Sequence, residues 1–264
     1  MHNLILHAWK NVGVNPLTTE SCELHMKVMS PPNIIWFYMT QQPKKGMGDF
    51  FEAGYVCGIL CSQGSVVKDE KYGNYKISLE TQDRELASEF QNVLESVIKK
   101  NVRFKEVERK SGGANAFLVY VYGKGEVETL GEWGVKRGVW KVPELALGNQ
   151  EFRRGFLRGF FDAGGTTIRR VVEREGKKEK RRIIRVYSMN LAGLEQVKEL
   201  LEFEQIKPLL YQTGKCFCLD IEGKLKTELF KRYVGSSLQW KNDCLEGLLL
   251  PLSVEKVKEG VNST

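Results

Sequence analysis

Basic side chains are concentrated between Arg169 and Arg185, where nine lysines and arginines accompany three glutamates. β-Branched residues on both sides of a charged, glycine-containing tip predict a two-stranded ribbon. Such a ribbon fits the DNA major groove, where basic side chains reach both bases and phosphates. A solvated hairpin tip is the alternative, because charge runs are common on surfaces. The residues predicted to contact DNA here are Arg169, Arg170, Arg174, Lys177, Lys178, Lys180, Arg181, Arg182 and Arg185.

The first half of the chain offers fewer basic candidates for the same role. Acidic residues lie between them in the sequence, which weakens the local positive potential. We therefore expect the second half to contribute more of the electrostatic attraction to a nucleic acid. The candidates in the first half are Lys68, Lys71, Lys76, Arg103 and Lys105.

Composition is compatible with this interpretation but does not establish it. The formal net charge is +7, so a polyanionic partner is plausible, although a basic protein without any nucleic-acid role is equally compatible. A hydrophobic content of 42% supports a proper core. The six cysteines form neither a CxxC pair nor a zinc-finger spacing. Reduced thiols and the lack of a long apolar run predict a cytoplasmic, intracellular protein without a membrane span.

The elements that would position these basic residues occur twice. Tyr55–Gly64 and Phe156–Gly165 are both apolar helical segments that end at a glycine and continue into β-branched residues. Each copy is followed, at nearly the same distance, by a Trp-Lys pair ending at Lys141 or Lys241. The spacing predicts a duplicated unit. The predicted boundaries are an N-terminal extension 1–47, a first unit 48–143, a linker 144–149, a second unit 150–250 and a tail 251–264.

A stripe of small residues runs along each of these two helices at spacings of four. Stripes of this kind allow two helices to approach closely. Glycine inside a helix costs about 1 kcal/mol relative to alanine, so backbone contact is expected to offset that cost. Two unrelated core helices are the alternative. The stripes consist of Gly54, Gly58 and Ser62 in the first helix and Gly155, Gly159 and Ala163 in the second.

Period-two and period-3.6 patterns predict the same series of elements in both halves. Asp83 and Asn190 are predicted to cap the helix that follows the first hairpin of each unit. The predicted hairpins pair 65–68 with 75–80, 102–108 with 116–122, 166–174 with 181–188, and 207–212 with 217–221. The predicted helices after them cover 83–98, 127–133, 190–203 and 225–233.

Leu157–Gly165 resembles the LAGLIDADG motif of homing endonucleases, and Val56–Gly64 resembles a weaker copy. The resemblance covers nearly everything after residue 47. It implies an α+β fold of two pseudosymmetric units, each with the order αββαββα, which pack through their motif helices and form a β-saddle. It also implies a monomer with internal pseudo-two-fold symmetry that binds double-stranded DNA.

The sequence departs from this family at the positions that carry its chemistry. The eighth motif residue is acidic in active members and holds a divalent metal, whereas Gln63 and Gly164 occupy those positions here. An amide is a poor ligand for magnesium, and glycine offers no side-chain ligand. We therefore expect no catalytic residues, no metal and no cofactor. Magnesium would be needed only if the chain were an active endonuclease.

Four further residues are candidates for a remaining part in catalysis or phosphate binding. Lys141 and Lys241 match the position of a basic residue near the scissile phosphates and would be vestigial here. The alternative is an exposed lysine beside a core tryptophan. Asp162 lies two residues before Gly164, so a helix turns it by about 200° away from the position-164 direction. We expect it to bond backbone near the helix ends. Glu52 opens the first helix.

The leading hypothesis is a catalytically inactive, double-stranded DNA-binding protein. A regulatory role would parallel the WhiA-type regulators that the family resemblance includes. One alternative is a metal-dependent DNA endonuclease with atypical ligands. Another is an RNA-binding maturase or splicing cofactor, and a third is a structural role without nucleic acid. An intein is disfavoured by the residues at the two ends. For residues 1–47, a docked structural segment and a partner-binding arm both remain open.

Overall fold

A computed structural model describes residues 49–108, 115–132, 140–174 and 177–250 of the chain. For residues 131–132, 170–174 and 177–180 the description covers the backbone alone. Our interpretations of the segments 1–47 and 251–264, and of the turn of the second hairpin, lie outside the described residues.

The first half alternates helices with two antiparallel hairpins that form one sheet. The strands of this four-stranded sheet follow the order β1-β2-β4-β3. Its elements are α1 (Phe50–Ser62), β1 (Ser65–Asp69), β2 (Asn74–Thr81), α2 (Arg84–Ile98), β3 (Arg103–Val107), β4 (Ala116–Tyr122) and α3 (Lys124–Glu132).

The second half repeats this plan after a short helix, α4 (Leu145–Gly148), in the predicted linker. Its four strands follow the order β5-β6-β8-β7, which corresponds to the order in the first sheet. Its elements are α5 (Gln150–Gly164), β5 (Gly165–Arg174), β6 (Lys177–Ser188), α6 (Leu191–Phe203), β7 (Leu209–Thr213), β8 (Cys216–Glu222), α7 (Lys224–Tyr233) and α8 (Gln239–Leu249).

Corresponding helices in the two halves begin at corresponding capping residues. Asp83 accepts hydrogen bonds from the backbone of Glu85 and Leu86 at the start of α2. Asn190 accepts one from Gly193 at the start of α6. These side chains satisfy donors that a helix start leaves unpaired. The prediction of both caps is confirmed.

The motif helices α1 and α5 cross with their backbones in contact, as predicted. A Cβ built on Gly58 would lie 2.1 Å from the backbone oxygen of Phe156, and one on Gly159 would lie 2.1 Å from that of Tyr55. Gly54 and Gly155 leave equally little space. No side chain other than hydrogen fits such a distance, so the crossing requires these glycines.

A continuous core surrounds this crossing. Every residue of α1 from Ala53 to Cys61 is buried, because the helix is enclosed by α5 on one side and by elements of its own half on others. Helices α2 and α3 pack on the first sheet, and α6, α7 and α8 on the second. Each sheet therefore has one face turned towards helices.

The structure differs from the sequence prediction at the ends of some elements and in two helices that were not predicted, α4 and α8. The turn predicted over 175–180 is too long, because β6 begins at Lys177, which pairs with Arg174. The αββαββα order is confirmed in both halves, but α8 follows it in the second half and was not predicted. Helix α8 begins at Gln239, and the preceding residue, Leu238, offers no side-chain cap, so the usual start signal is missing. No helix in the described residues is long and apolar enough to span a membrane.

Candidate nucleic-acid interface

The first sheet presents basic and aromatic side chains on the face opposite its helices. Successive strand residues point to opposite faces, and Ile77, Val119 and Val121 are buried on the helix side. The intervening residues form the other face. This first open face includes Lys76, Ser78, Glu80, Arg103, Lys105, Leu118, Tyr120 and Tyr122.

Two cationic side chains of the first open face lie close to the Tyr120 ring. The Lys76 ammonium is 5.3 Å and the Arg103 guanidinium 5.9 Å from the ring centroid. Tyr122 meets Tyr120 edge-on with centroids 5.7 Å apart, and it is 51% exposed. Neither Lys76 nor Arg103 has a carboxylate partner in the part of the chain that the structure describes. Their charges are therefore available to an anionic partner.

Sequence reasoning missed the two tyrosines of this face. The signal was the alternation in Ala116–Tyr122, where Phe117, Val119 and Val121 occupy one face. That alternation leaves Tyr120 and Tyr122 together on the other.

The two other predicted residues of the first half lie elsewhere. Val67 pairs in register with Lys76 and so belongs to the first open face, whereas the next residue, Lys68, belongs to the opposite face. The Lys68 ammonium forms an exposed ion pair with Glu70 at 3.1 Å. Lys71 lies in the exposed turn before Gly73 and is 5.0 Å from the Tyr72 ring. The structure thus groups Lys76, Arg103 and Lys105 on one face and separates Lys68 from them.

The central arginine of the second sheet, Arg185, is hydrogen-bonded to other side chains of the protein. The Arg185 guanidinium donates to both carboxylate oxygens of Asp220, at 2.7 and 2.6 Å. It also donates to the hydroxyls of Tyr187 and Tyr211, and Tyr211 donates to Asp220 at 2.9 Å. Hydrogen bonding to Asp220 raises the pKa of Arg185. Burial, followed by the bond to Asp220, raises the pKa of Tyr211 to about 12.

The other described arginines of this sheet also have protein partners. Arg181 lies 3.5 Å from a carboxylate oxygen of Glu222. Arg182 donates to the backbone oxygens of Leu248 and Leu250 at the end of α8. This contact places Arg182 on the helix side of the sheet. Arg169 is exposed and pairs in register with Arg182.

The remaining predicted residues of the ribbon are described only by their backbone. Arg170 pairs with Arg181 and Arg174 with Lys177, and the ladder also includes Lys178 and Lys180. The ribbon is long, with 10 residues in β5 and 12 in β6, against 5 in β1 and 8 in β2. The basic segment therefore extends beyond the length of the first hairpin.

The two motif helices end beside each other without an acidic side chain at either family position. Gln63 is the exposed C-cap of α1, and Gly164 is the last residue of α5. A Cβ on Gly164 would lie 2.3 Å from the Ser62 hydroxyl oxygen. Among the described residues, no group of three or more histidine, cysteine or acidic side chains could hold a metal. The residues at this place do not fit a divalent ion.

Asp162 has a structural role inside the protein. It is 2% exposed and accepts hydrogen bonds from the Ser236 hydroxyl, the Ser237 amide at 2.9 Å and the Tyr55 hydroxyl at 3.0 Å. Burial raises its pKa, and the bonds from Ser236 and Ser237 oppose that rise. Glu52 lies at the opposite end of α1 from Gln63 and accepts from Ser96.

The two lysines of the repeated Trp-Lys pairs have different surroundings. Lys241 is 8% exposed, and its ammonium donates to the backbone oxygens of Phe161, Asp162 and Gly165 at 2.6–2.8 Å. Burial lowers its pKa to about 8. Lys141 is exposed. The alternative of an exposed lysine therefore describes Lys141 and not Lys241.

The fold consists of two pseudosymmetric α+β units that are joined through glycine-lined helices and carry open four-stranded sheets. Comparison with known proteins identifies the family that has this architecture. The family model described as a LAGLIDADG-like domain matches residues 50–132 and again residues 151–235. These two matches cover more than half of the chain. The chain belongs to the LAGLIDADG-like family.

Solved structures agree with this fold. The homing endonuclease I-WcaI bound to its DNA recognition sequence matches with a TM-score of 0.56 and 12% identity, covering 90% of this chain and 96% of that one. I-DmoI in complex with DNA and Mn matches with a TM-score of 0.51 and 14% identity, covering 72% and 98%. Full-length DUF199/WhiA from Thermatoga maritima gives 0.50 and 13%, covering 78% and 62%. Identities this low show a shared fold.

A further relative is a subunit of an RNA polymerase. The DNA-directed RNA polymerase subunit Rpo1C of Methanocaldococcus jannaschii is 24% identical over 213 residues, which is 80% of this chain. The chain spans about a fifth of that relative's length, since the match covers 22% of it.

Proposed function

We propose that this chain binds double-stranded DNA across the open faces of its two sheets and leaves the DNA intact. The observation that carries the second part is the pair Gln63 and Gly164 at the ends of the motif helices, where two-metal phosphodiester hydrolysis needs carboxylates. The nearby acid, Asp162, already accepts three hydrogen bonds inside the protein. Binding without cleavage is the function that these residues support.

Charge and fold support the binding part of the proposal. Lys76, Arg103 and Lys105 share one open face, and cationic side chains that neutralise phosphates give salt-dependent affinity. I-DmoI and I-WcaI, whose structures contain DNA, share the fold. Both halves belong to one chain, so a single molecule would cover both half-sites.

The deciding experiment combines binding and cleavage. The protein is incubated with a randomised duplex library in magnesium or manganese, bound DNA is recovered, and its integrity is checked on a denaturing gel. We expect salt-sensitive binding and intact strands. Metal-dependent cutting by the unaltered protein would establish the endonuclease alternative, and stronger binding to structured RNA than to duplex would favour the maturase alternative.

A pair of variants tests which face binds. Lys76→Gln with Arg103→Gln removes two cations from the first open face and should weaken duplex binding and lower its salt dependence. Lys198→Gln with Lys224→Gln removes two exposed charges from helices instead and should leave binding close to normal. Equal losses in both pairs would show that net charge rather than the open face determines affinity.

Restoring acids tests the missing chemistry directly. Gln63→Glu with Gly164→Asp supplies two carboxylates, and Ser62→Ala makes room for the new side chain at position 164, which would otherwise meet the Ser62 hydroxyl. We expect the triple variant to gain metal-dependent nicking that Ser62→Ala alone lacks.

A protein that binds a site without cutting it can regulate a neighbouring promoter, and we propose such a role in the cytoplasm.

A further inference from the structure

We propose that the first sheet reads the base sequence and that the Arg185–Asp220 pair keeps the centre of the second sheet from doing so. The inference rests on the proposed duplex binding and adds to it a division of labour between the halves. It predicts a target in which one half-site is specified far more strongly than the other.

The two open faces can be compared residue by residue through their strand registers. In the first sheet, Ser65 pairs with Ser78, which pairs with Tyr120, which pairs with Arg103. We call this set the first central row. In the second sheet the same positions form the second central row: Thr166, Arg185, Asp220 and Leu209. Ser65 and Thr166 follow their motif glycines by one residue, so the rows correspond.

In the first central row Ser78 is buried, whereas the guanidinium of Arg103 is accessible. Arg103 is exposed, has no carboxylate partner among the described residues, and lies beside the Tyr120 ring. An arginine with an unoccupied guanidinium can donate two hydrogen bonds to a guanine edge in the major groove. Lys76, one row further out, adds a second cation next to the same ring.

The second central row has the opposite character. Both nitrogens of Arg185 that face Asp220 are bonded to its carboxylate, and the third donates to Tyr187. The side chains of Arg185 and Asp220 are only 15% and 5% exposed. To contact a base, Arg185 would have to abandon a buried carboxylate. The free-energy cost of leaving the buried Asp220 carboxylate unpaired offsets the free energy that a base contact would contribute. The neutralised pair also adds little attraction to phosphate.

The second half can still hold DNA through the long ribbon of β5 and β6. Its basic residues follow the central row along the strands, beyond Ile168 and Ile183. Contacts from lysine and arginine to phosphates fix the register of a duplex and carry no sequence information. This half would position the duplex while the first half reads it.

The test is selection from a randomised duplex library with sequencing of the bound fraction, repeated with variants. The unaltered protein should give one strongly and one weakly specified half-site. Arg103→Gln should lower the preference for the selected duplex over random duplex by about tenfold, within the range of one bidentate base contact. Arg185→Met with Asp220→Leu, which removes both partners together, should leave that preference unchanged. Asp220→Asn should release Arg185 and add base preference in the weak half-site.

The outcomes separate this inference from the function beneath it. No duplex binding at low salt would remove the proposed function. Duplex binding with two equally specified half-sites would remove this inference alone, as would loss of preference in the Arg185→Met, Asp220→Leu variant. Circular dichroism of each variant establishes that it is folded. If the double variant does not fold, Arg185→Lys replaces it, and a loss of preference in that variant would equally overturn the inference.

Discussion

The two helix-to-strand corners of this protein are built at corresponding positions but are held by different interactions. At the second corner, Lys241 donates to three backbone oxygens at the end of α5, and Asp162 receives three donors from both halves. At the first corner the corresponding residues are Lys141, which is exposed, and Cys61, whose thiol makes a long contact with the Lys141 oxygen at 3.8 Å.

This difference shows how a duplicated unit can change the use of its charged residues. Charges at the second corner satisfy backbone and hydroxyl groups that would otherwise be buried without partners. The first corner has no buried charge among the described residues. Stability and any interaction with phosphate are therefore expected to depend on different corners.

The helix crossing shared by both corners should be the most sensitive feature. Gly58→Ala places a methyl group 2.1 Å from the Phe156 oxygen, which forces the helices apart and should cost about 4 kcal/mol or more. Urea unfolding measures the loss. Gly247→Ala is the matched control, because open space surrounds Gly247 in α8 and alanine should stabilise it by about 0.5–1 kcal/mol. Similar effects at both glycines would contradict the close approach.

The buried acid of the second corner comes next. Asp162→Ala leaves the Tyr55 and Ser236 hydroxyls and the Ser237 amide without their acceptor, and should destabilise by about 2–4 kcal/mol. Thermal and urea unfolding provide the measurement. The corresponding Cys61→Ala removes one small buried side chain and should cost about 1 kcal/mol. A larger loss at Cys61 would reverse the comparison between the corners.

The two lysines should differ in the same direction with smaller effects. Lys241→Met removes the hydrogen bonds to three backbone oxygens at the α5 end, of which the Phe161 oxygen keeps the bond from the Gly165 amide, and should cost about 1–3 kcal/mol. Lys141→Met alters an exposed side chain and should stay within about 0.5 kcal/mol. Measuring both by urea unfolding at neutral pH separates them. Equal costs would mean that the Lys241 hydrogen bonds contribute nothing to folding.

The pH dependence of stability should carry the smallest signal. The Lys241 pKa falls from 10.5 to about 8 on folding because the side chain is buried. Between these values the unfolded chain holds a proton that the folded protein lacks, so stability rises with pH, by about 1 kcal/mol from pH 8 to 9. Below about pH 7 this contribution is flat, because Lys241 is then protonated in both states. The difference between the unaltered protein and Lys241→Met isolates it, and a constant difference across pH 7–9.5 would show that Lys241 does not titrate there.

Much of the fold could be predicted because its signals are local and periodic. These signals act between residues only a few positions apart in the chain. They include the small-residue stripe with Gly54 and Gly58 and the caps Asp83 and Asn190. The internal duplication was sufficient to locate both motif helices, since each copy supports the assignment of the other. Helix α8 escaped prediction because no capping side chain marks its start.

The candidate interface was less accessible to the sequence. In the sequence, every basic residue of a hairpin is a candidate DNA contact, whichever face of the sheet it occupies. In the structure, Arg182 donates to the end of α8 and Lys68 pairs with Glu70. Strand register decides the face, and register depends on how two strands pair. The alternation in β4 was visible, but its significance depended on knowing which face the helices cover.

The sequence by itself determined the repeated units, the closely packed helices and the absence of acids at Gln63 and Gly164. Tertiary structure alone decided that Arg185 meets Asp220 and that the Trp240 indole donates to Asp83, across the boundary between the halves. These partners lie 35 and 157 residues apart. A pattern of period 2 or 3.6 specifies which face a side chain takes, but only the packing of distant elements specifies which side chain it meets there.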